Sequence, residues 1–241
     1  MAARRARQLS LVLPKGRGGK RQGAGRKPTG KFGRNAKGQP RAGVRHRARS
    51  WDGARIPLHV TVRTIPGAPS LRGFGVAAEI GTVLKRRAAR ALPSRMVHFS
   101  IQKDHLHLLV EADSRPALAR GLQGLLSGLA RVVNRATGNR GSLWRDRYHS
   151  RQLRTPSEVR RCLVYVLRNA SKHRAPTARA VDALSSAAWF DGFANREAAR
   201  HDAAPVARPA TWLMVSGWKR AGGPIRDDEA PVRDDDLSGP A

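Results

Sequence analysis

The chain has 241 residues, with 47 Lys and Arg against 17 Asp and Glu, a formal charge of +30 and a pI near 11.9. That length suits one domain of ordinary size with tails, because domains most often run about 100–150 residues. A neutral small molecule gives no reason for such a charge, whereas a polyanion that releases counterions when lysine and arginine bind its phosphates does, so nucleic acid is the expected partner.

Residues 1–50 contain no acidic residue and no hydrophobic period after Leu13. Such a segment buries too little apolar surface to offset its ordering entropy, and a disordered basic DNA-binding arm is expected there. Within it, Gly25-Arg26-Lys27-Pro28 resembles the Gly-Arg-Pro core of a minor-groove AT-hook, with Lys27 intruding. Arg26 and Lys27 are candidate DNA contacts on that basis, and a tail acting by charge alone is the simpler account. The apolar run Leu9 to Leu13 stops at Pro14, short of a signal-peptide core. No later stretch approaches the roughly 18 apolar residues of a membrane span. A cytoplasmic, nucleoid-associated protein is expected, and the sequence leaves monomer and homodimer equally open.

From Trp51 the pattern changes. Leu58, Val60 and Val62 alternate with His59, Thr61 and Arg63, which predicts a half-buried strand ending at Ile65-Pro66-Gly67. Val76, Ile80, Val83, Leu84 and Ala88 recur at helical spacing, and Pro93 closes that helix. Two strands follow, about Arg95 to Gln102 and His105 to Ala112, joined by a hairpin at Lys103-Asp104. A second helix opens at Ser114 with Pro116 in its first turn, carries Leu118, Leu122, Leu125, Leu126, Leu129 and Val133 on one side, and stops at Gly138. A basic loop from Arg140 to His149 leads to a short strand near Ser150 to Leu153.

Thr155-Pro156-Ser157-Glu158 is a capping box opening a third helix, whose stripe Val159, Cys162, Leu163, Val166 and Leu167 faces the core. The single cysteine, Cys162, lies within that stripe, so neither an intrachain disulfide nor a multi-cysteine zinc site is available. Strand-helix-strand-strand-helix-strand-helix is the order of an α+β, ferredoxin-like (RRM-like) split unit with an added helix. It sets a domain at residues 51–175. Residues 176–241 form an extension whose aromatics, Trp189, Phe190, Phe193, Trp212 and Trp218, suffice to pack on the domain. Asp227-Asp228-Glu229 and Asp234 to Asp236 mark its acidic, disordered end.

Residues two apart on a strand share a face, so His105 and His107 point together, away from buried Leu106, Leu108 and Val110. Two imidazoles so placed can converge on one metal ion. On the third helix Tyr165 and Asn169 are one turn apart, with Arg161 one turn before, on a stripe opposite Val159, Leu163 and Val166, so the hydroxyl is not expected to be core filling. A tyrosine hydroxyl can attack a phosphodiester in line and conserve its bond energy in a phosphotyrosine. A divalent ion held by His105, His107 and Asn169 would polarise the phosphate, and imidazole with amide oxygen suits Mg²⁺ or Mn²⁺. Arg161, Arg168 and Lys172 would grip flanking phosphates. The rival nucleophile, Tyr148, has no amide four residues on. With Arg140, Trp144, Arg145 and Arg147 it suits stacking a base and gripping DNA better.

Three segments together, Asp104-His105-Leu106-His107-Leu108-Leu109-Val110, Gly141-Ser142-Leu143-Trp144-Arg145-Asp146-Arg147-Tyr148 and Tyr165-Val166-Leu167-Arg168-Asn169, resemble the single-tyrosine HUH transposases. The likeness is closest to their REP-associated branch and covers about Leu58 to His173. It implies an HUH nuclease sheet with a catalytic helix, with His105 and His107 as the HUH pair, Tyr165 as nucleophile and Asn169 as third ligand. It implies a metal-dependent endonuclease and strand-transferase acting on single-stranded DNA at hairpin-forming repeats. Two positions depart from the branch: Asp104 stands where an asparagine usually precedes the pair, and Ala170 where a proline usually follows the asparagine. A non-catalytic binder of repeat hairpins, of transposase descent, is the competing expectation. A basic RNA-binding protein with a coincidental His-x-His is the third.

Overall fold

Four strands, β1 Leu58–Arg63, β2 Ser94–Ile101, β3 His105–Ala112 and β4 His149–Gln152, pair in the order β2-β3-β1-β4 with every neighbour antiparallel. Helices α1 Val76–Ala88 and α2 Arg115–Thr137 connect them, and α3 Pro156–Arg168 follows β4. This order and these directions are those of the ferredoxin-like split βαβ unit. The computed structural model describes residues 51, 55–169, 182–195, 203–226 and 229–231. The expectations for the basic arm with Arg26 and Lys27, for Lys172 and for Asp234 to Asp236 lie outside the described residues. Among those described, no helix is long and apolar enough to cross a membrane.

Alternation along each strand divides the core in two. Val60, Val62, Phe99, Ile101, Leu106, Leu108 and Val110 meet Ile80 and Leu84 of α1 and the leucine stripe of α2. Helix α2 begins where Ser114 accepts from the Ala117 amide and ends at Gly138, whose φ of 69° is the left-handed conformation that glycine adopts without steric cost. At Gly121 a β-carbon would run into Ser94, so the glycine is what lets α2 lie close to β2.

The opposite sheet face is covered by α3 together with the extension. Val97 and Leu109 pack in one cluster with Val159 to Leu167, Phe190, Phe193, Met214, Trp218 and Ile225. Helix α3 opens as its sequence requires: the Glu158 amide donates to Thr155 Oγ1 at 3.2 Å, and the Thr155 amide donates to the Glu158 carboxylate at 3.1 Å. Such a cap is worth about 1 kcal/mol. In β2 the register shifts between Met96 and His98, so the bulge turns both Val97 and His98 towards this second face. The outer edge of β2 is covered as well, by the Ile101 amide donating to Leu184 at 2.9 Å and the Ala207 amide donating to Met96 at 2.8 Å.

Two expectations change here. The Tyr165 side of α3 was expected to stand clear of the core, but α3 is enclosed between sheet and extension, and Tyr165 is 1% exposed. Glu229, assigned to a disordered acidic end, is instead held by Arg160 at 2.6 and 2.9 Å. The extension contributes a short helix, α4 Trp212–Val215, whose preceding residues Ala210 and Thr211 donate amides to buried Glu111 on β3.

Candidate active site

Strand β3 puts His105 and His107 on the α3 side of the sheet, their ring centroids 4.7 Å apart, while Leu106, Leu108 and Val110 fill the opposite core. β4 runs parallel to β3, because both are antiparallel to β1. The chain leaves β4 at the far end and returns as α3, so α3 climbs back towards His105. Tyr165 arrives beside His107, its hydroxyl 3.2 Å from His107 Nε2 and its ring centroid 4.9 Å from the imidazole. The four residues of helix from Tyr165 to Asn169 advance about 6 Å and two residues of strand about 6.6 Å, so Asn169 is carried from the level of His107 towards that of His105.

Both histidines are tied at Nδ1. His105 Nδ1 lies 2.7 Å from Asp104 Oδ1. That hydrogen bond from His105, acting against partial desolvation, holds the Asp104 carboxyl below its ordinary range. An ionised carboxylate only accepts, so His105 donates to it from Nδ1. His107 Nδ1 lies 3.2 Å from both His59 Nε2 and Thr61 Oγ1 on β1. Sequence reading placed His59 and Thr61 only on the polar side of β1; nothing in their spacing showed that this side would be closed over by α3. Strand pairing did carry the signal, since Thr61 is the register partner of His107.

Asn169 caps α3 and is 3% exposed, and its side-chain nitrogen has no hydrogen-bond partner among the described residues. Amide nitrogen and oxygen exchange places by a flip of the side chain, so this buried end can present an oxygen ligand. No group of three His, Cys, Asp or Glu side chains among the described residues could hold a metal, so an ion at the two imidazoles would draw on a further ligand of another kind, for which the Asn169 amide is a candidate. With Nδ1 of each histidine engaged and an unpartnered buried amide nearby, His105, His107 and Asn169 fit a divalent ion.

The other candidate residues separate. Tyr148 and Trp144 pack against the α1/α2 core, on the sheet face away from the histidines, and the Trp144 indole donates to the Leu126 carbonyl at 2.9 Å. Their loop nevertheless lies at the His105 end of the sheet, where the Arg145 amide donates to Arg63 and the Ile65 amide to Leu143. Arg140 and Arg147 are exposed there and Arg145 is half-buried. The exposed cations Arg63 and Lys103 join this rim, although neither stood out in sequence. Arg161 is exposed on α3, whereas Arg168 is buried at its end.

No protein-family model and no curated protein matches the sequence. Among solved structures, the chain is similar to a REP-associated tyrosine transposase bound to a REP hairpin, with 14% identity and a TM-score of 0.40 over 53% of this chain and 74% of that one. It is also similar to a candidate transposase from Deinococcus radiodurans R1, with 20% identity and a TM-score of 0.34 over 44% of this chain and 83% of that one.

Proposed function

We propose that this chain is a single-tyrosine transposase of the HUH kind, a metal-dependent enzyme that nicks and rejoins single-stranded DNA at hairpin-forming repeats through a phosphotyrosine. The observation that carries the reading is the meeting of Tyr165 with His107 at 3.2 Å across 58 residues of sequence. Tyr148 packs against the α1/α2 core on the other side of the sheet, away from the two histidines, which supports Tyr165 as nucleophile.

The Tyr165 oxygen would attack the scissile phosphorus in line, forming a phosphorus–oxygen bond to the tyrosine as the bond to one neighbouring nucleotide breaks and leaves a free hydroxyl. Reversal of that step by a strand hydroxyl would rejoin DNA. His105, His107 and Asn169 would hold Mg²⁺ or Mn²⁺, whose charge would polarise the phosphate. Arg63, Lys103, Arg140, Arg145 and Arg147, at the His105 end, would neutralise the flanking backbone.

Incubating the protein with single-stranded hairpin DNA and Mn²⁺ should give a covalent protein–DNA adduct. Tyr165→Phe should abolish the adduct and keep hairpin binding, while Tyr148→Phe should still form it. Exchange of those two phenotypes would refute the assignment of the nucleophile. The burial of Tyr165, His107 and Asn169, at 1–3% exposure, favours a second reading, a non-catalytic hairpin binder of transposase descent. Tight hairpin binding with no adduct under any divalent ion would establish that one.

A further inference from the structure

The two histidines are held by different means. Asp104, a carboxylate that only accepts, holds His105 at Nδ1. Around His107, His59 Nε2 and Thr61 Oγ1 lie at Nδ1 and the Tyr165 hydroxyl at Nε2, each at 3.2 Å and each able to donate or accept. A phenol donates better than it accepts, so the consistent network runs from the Tyr165 O–H to His107 Nε2 and from His107 Nδ1–H to β1. His59 is the partner with geometric control, because its ring lies over that of His107 with centroids 5.3 Å apart and planes 26° apart, and meets Tyr165 edge-on at 5.8 Å. Contact with both rings restrains the tilt of the imidazole as well as the place of its proton.

We infer that His59, backed by Thr61, is a positioning residue that fixes His107 as the Nδ1–H tautomer with Nε2 directed at the Tyr165 and metal side, much as Asp104 holds His105 at Nδ1. This rests on the reading of His105, His107 and Asn169 as the metal ligands. Groups of this kind orient ligand imidazoles, and their loss commonly weakens metal binding about ten- to hundred-fold. His59 therefore ties β1 into a site whose other parts come from β3 and α3.

Two measurements on the full chain test it. Imidazole ¹⁵N spectra of the metal-free protein should show His107 protonated at Nδ1; protonation at Nε2 in the unmodified protein would overturn the inference without recourse to any variant. In a Mn²⁺ titration followed by electron paramagnetic resonance, His59→Phe, which keeps a ring but no acceptor, should bind about ten- to hundred-fold more weakly. His59→Gln, which keeps an acceptor at similar reach, should recover much of that loss. If His105→Ala abolishes Mn²⁺ binding and His59→Phe leaves it unchanged, the positioning role fails and the metal site stands. If the unmodified protein binds no Mn²⁺, the metal reading fails and takes this inference with it.

Discussion

At the scale of single residues, buried polar side chains decide how the second sheet face behaves. His98 is buried, with Nδ1 3.1 Å from Ser186 Oγ and its ring edge-on to Phe190, and desolvation pushes its pKa down to about 4. The sign follows from linkage: between about pH 6.5 and 4 the unfolded chain takes up a proton at this histidine that the folded chain refuses, so stability is full above pH 6.5 and falls as the pH drops through that window. A shift from 6.5 to about 4 corresponds to a loss of about 3 kcal/mol, complete near pH 4. His98→Phe preserves the ring contact, and the Phe99 amide still donates to Ser186 Oγ at 3.1 Å. Thermal melts from pH 4 to 8 should show a fall in the native protein that is much shallower in the variant; parallel curves would mean that His98 is solvated.

At the scale of elements, helix α3 is fastened from outside as well as from the sheet. Arg160 grips Glu229 with both terminal nitrogens and donates to the Gly223 and Pro224 carbonyls, so one side chain joins α3 to the end of the extension. Arg160→Ala strands an acidic group and two carbonyls, and should cost about 1–3 kcal/mol. Arg160→Lys should restore only part of it, for lack of the planar fork. In hydrogen exchange, amides of α3 and of residues 217–225 should lose protection while β1 and β3 keep theirs; uniform loss would show that α3 and sheet open as one unit. This fastening also explains which elements were legible in sequence. The capping box at Thr155, the stop at Gly138 and the alternation in β3 act over a few residues, and each is written locally. Tyr165 is buried because its side of α3 lies on His107 and His59 of the sheet, both far off in sequence, and the two-sided burial around Val97 depends on a bulge that alternation alone does not reveal. His59 was read as one polar residue on a half-exposed strand for the same reason: its role is set by what covers that strand.

At the scale of the whole molecule, charge is unevenly shared. The first 50 residues carry sixteen Lys and Arg and no acid, so removing them takes +16 from a total of +30 and leaves +14 on the rest of the chain. Each phosphate neutralised adds roughly 0.7 to the salt slope of single-strand binding, so an arm acting by counterion release should contribute affinity that fades as salt rises and that is blind to sequence. Under the proposed function, base discrimination would fall to positioned groups of the folded domain, such as the loop at the His105 end held by the hydrogen bonds of Arg145 and Ile65. Salt titrations of the full chain and of a chain lacking residues 1–50, on a hairpin and on a scrambled single strand, separate the two contributions. The truncated protein should bind both strands more weakly by a similar factor, with a flatter slope, and keep its preference for the hairpin. If it instead keeps its affinity and loses that preference, specificity resides in the arm, and the segment Gly25-Arg26-Lys27-Pro28 acts as a minor-groove reader of the hairpin stem instead of a diffuse cation.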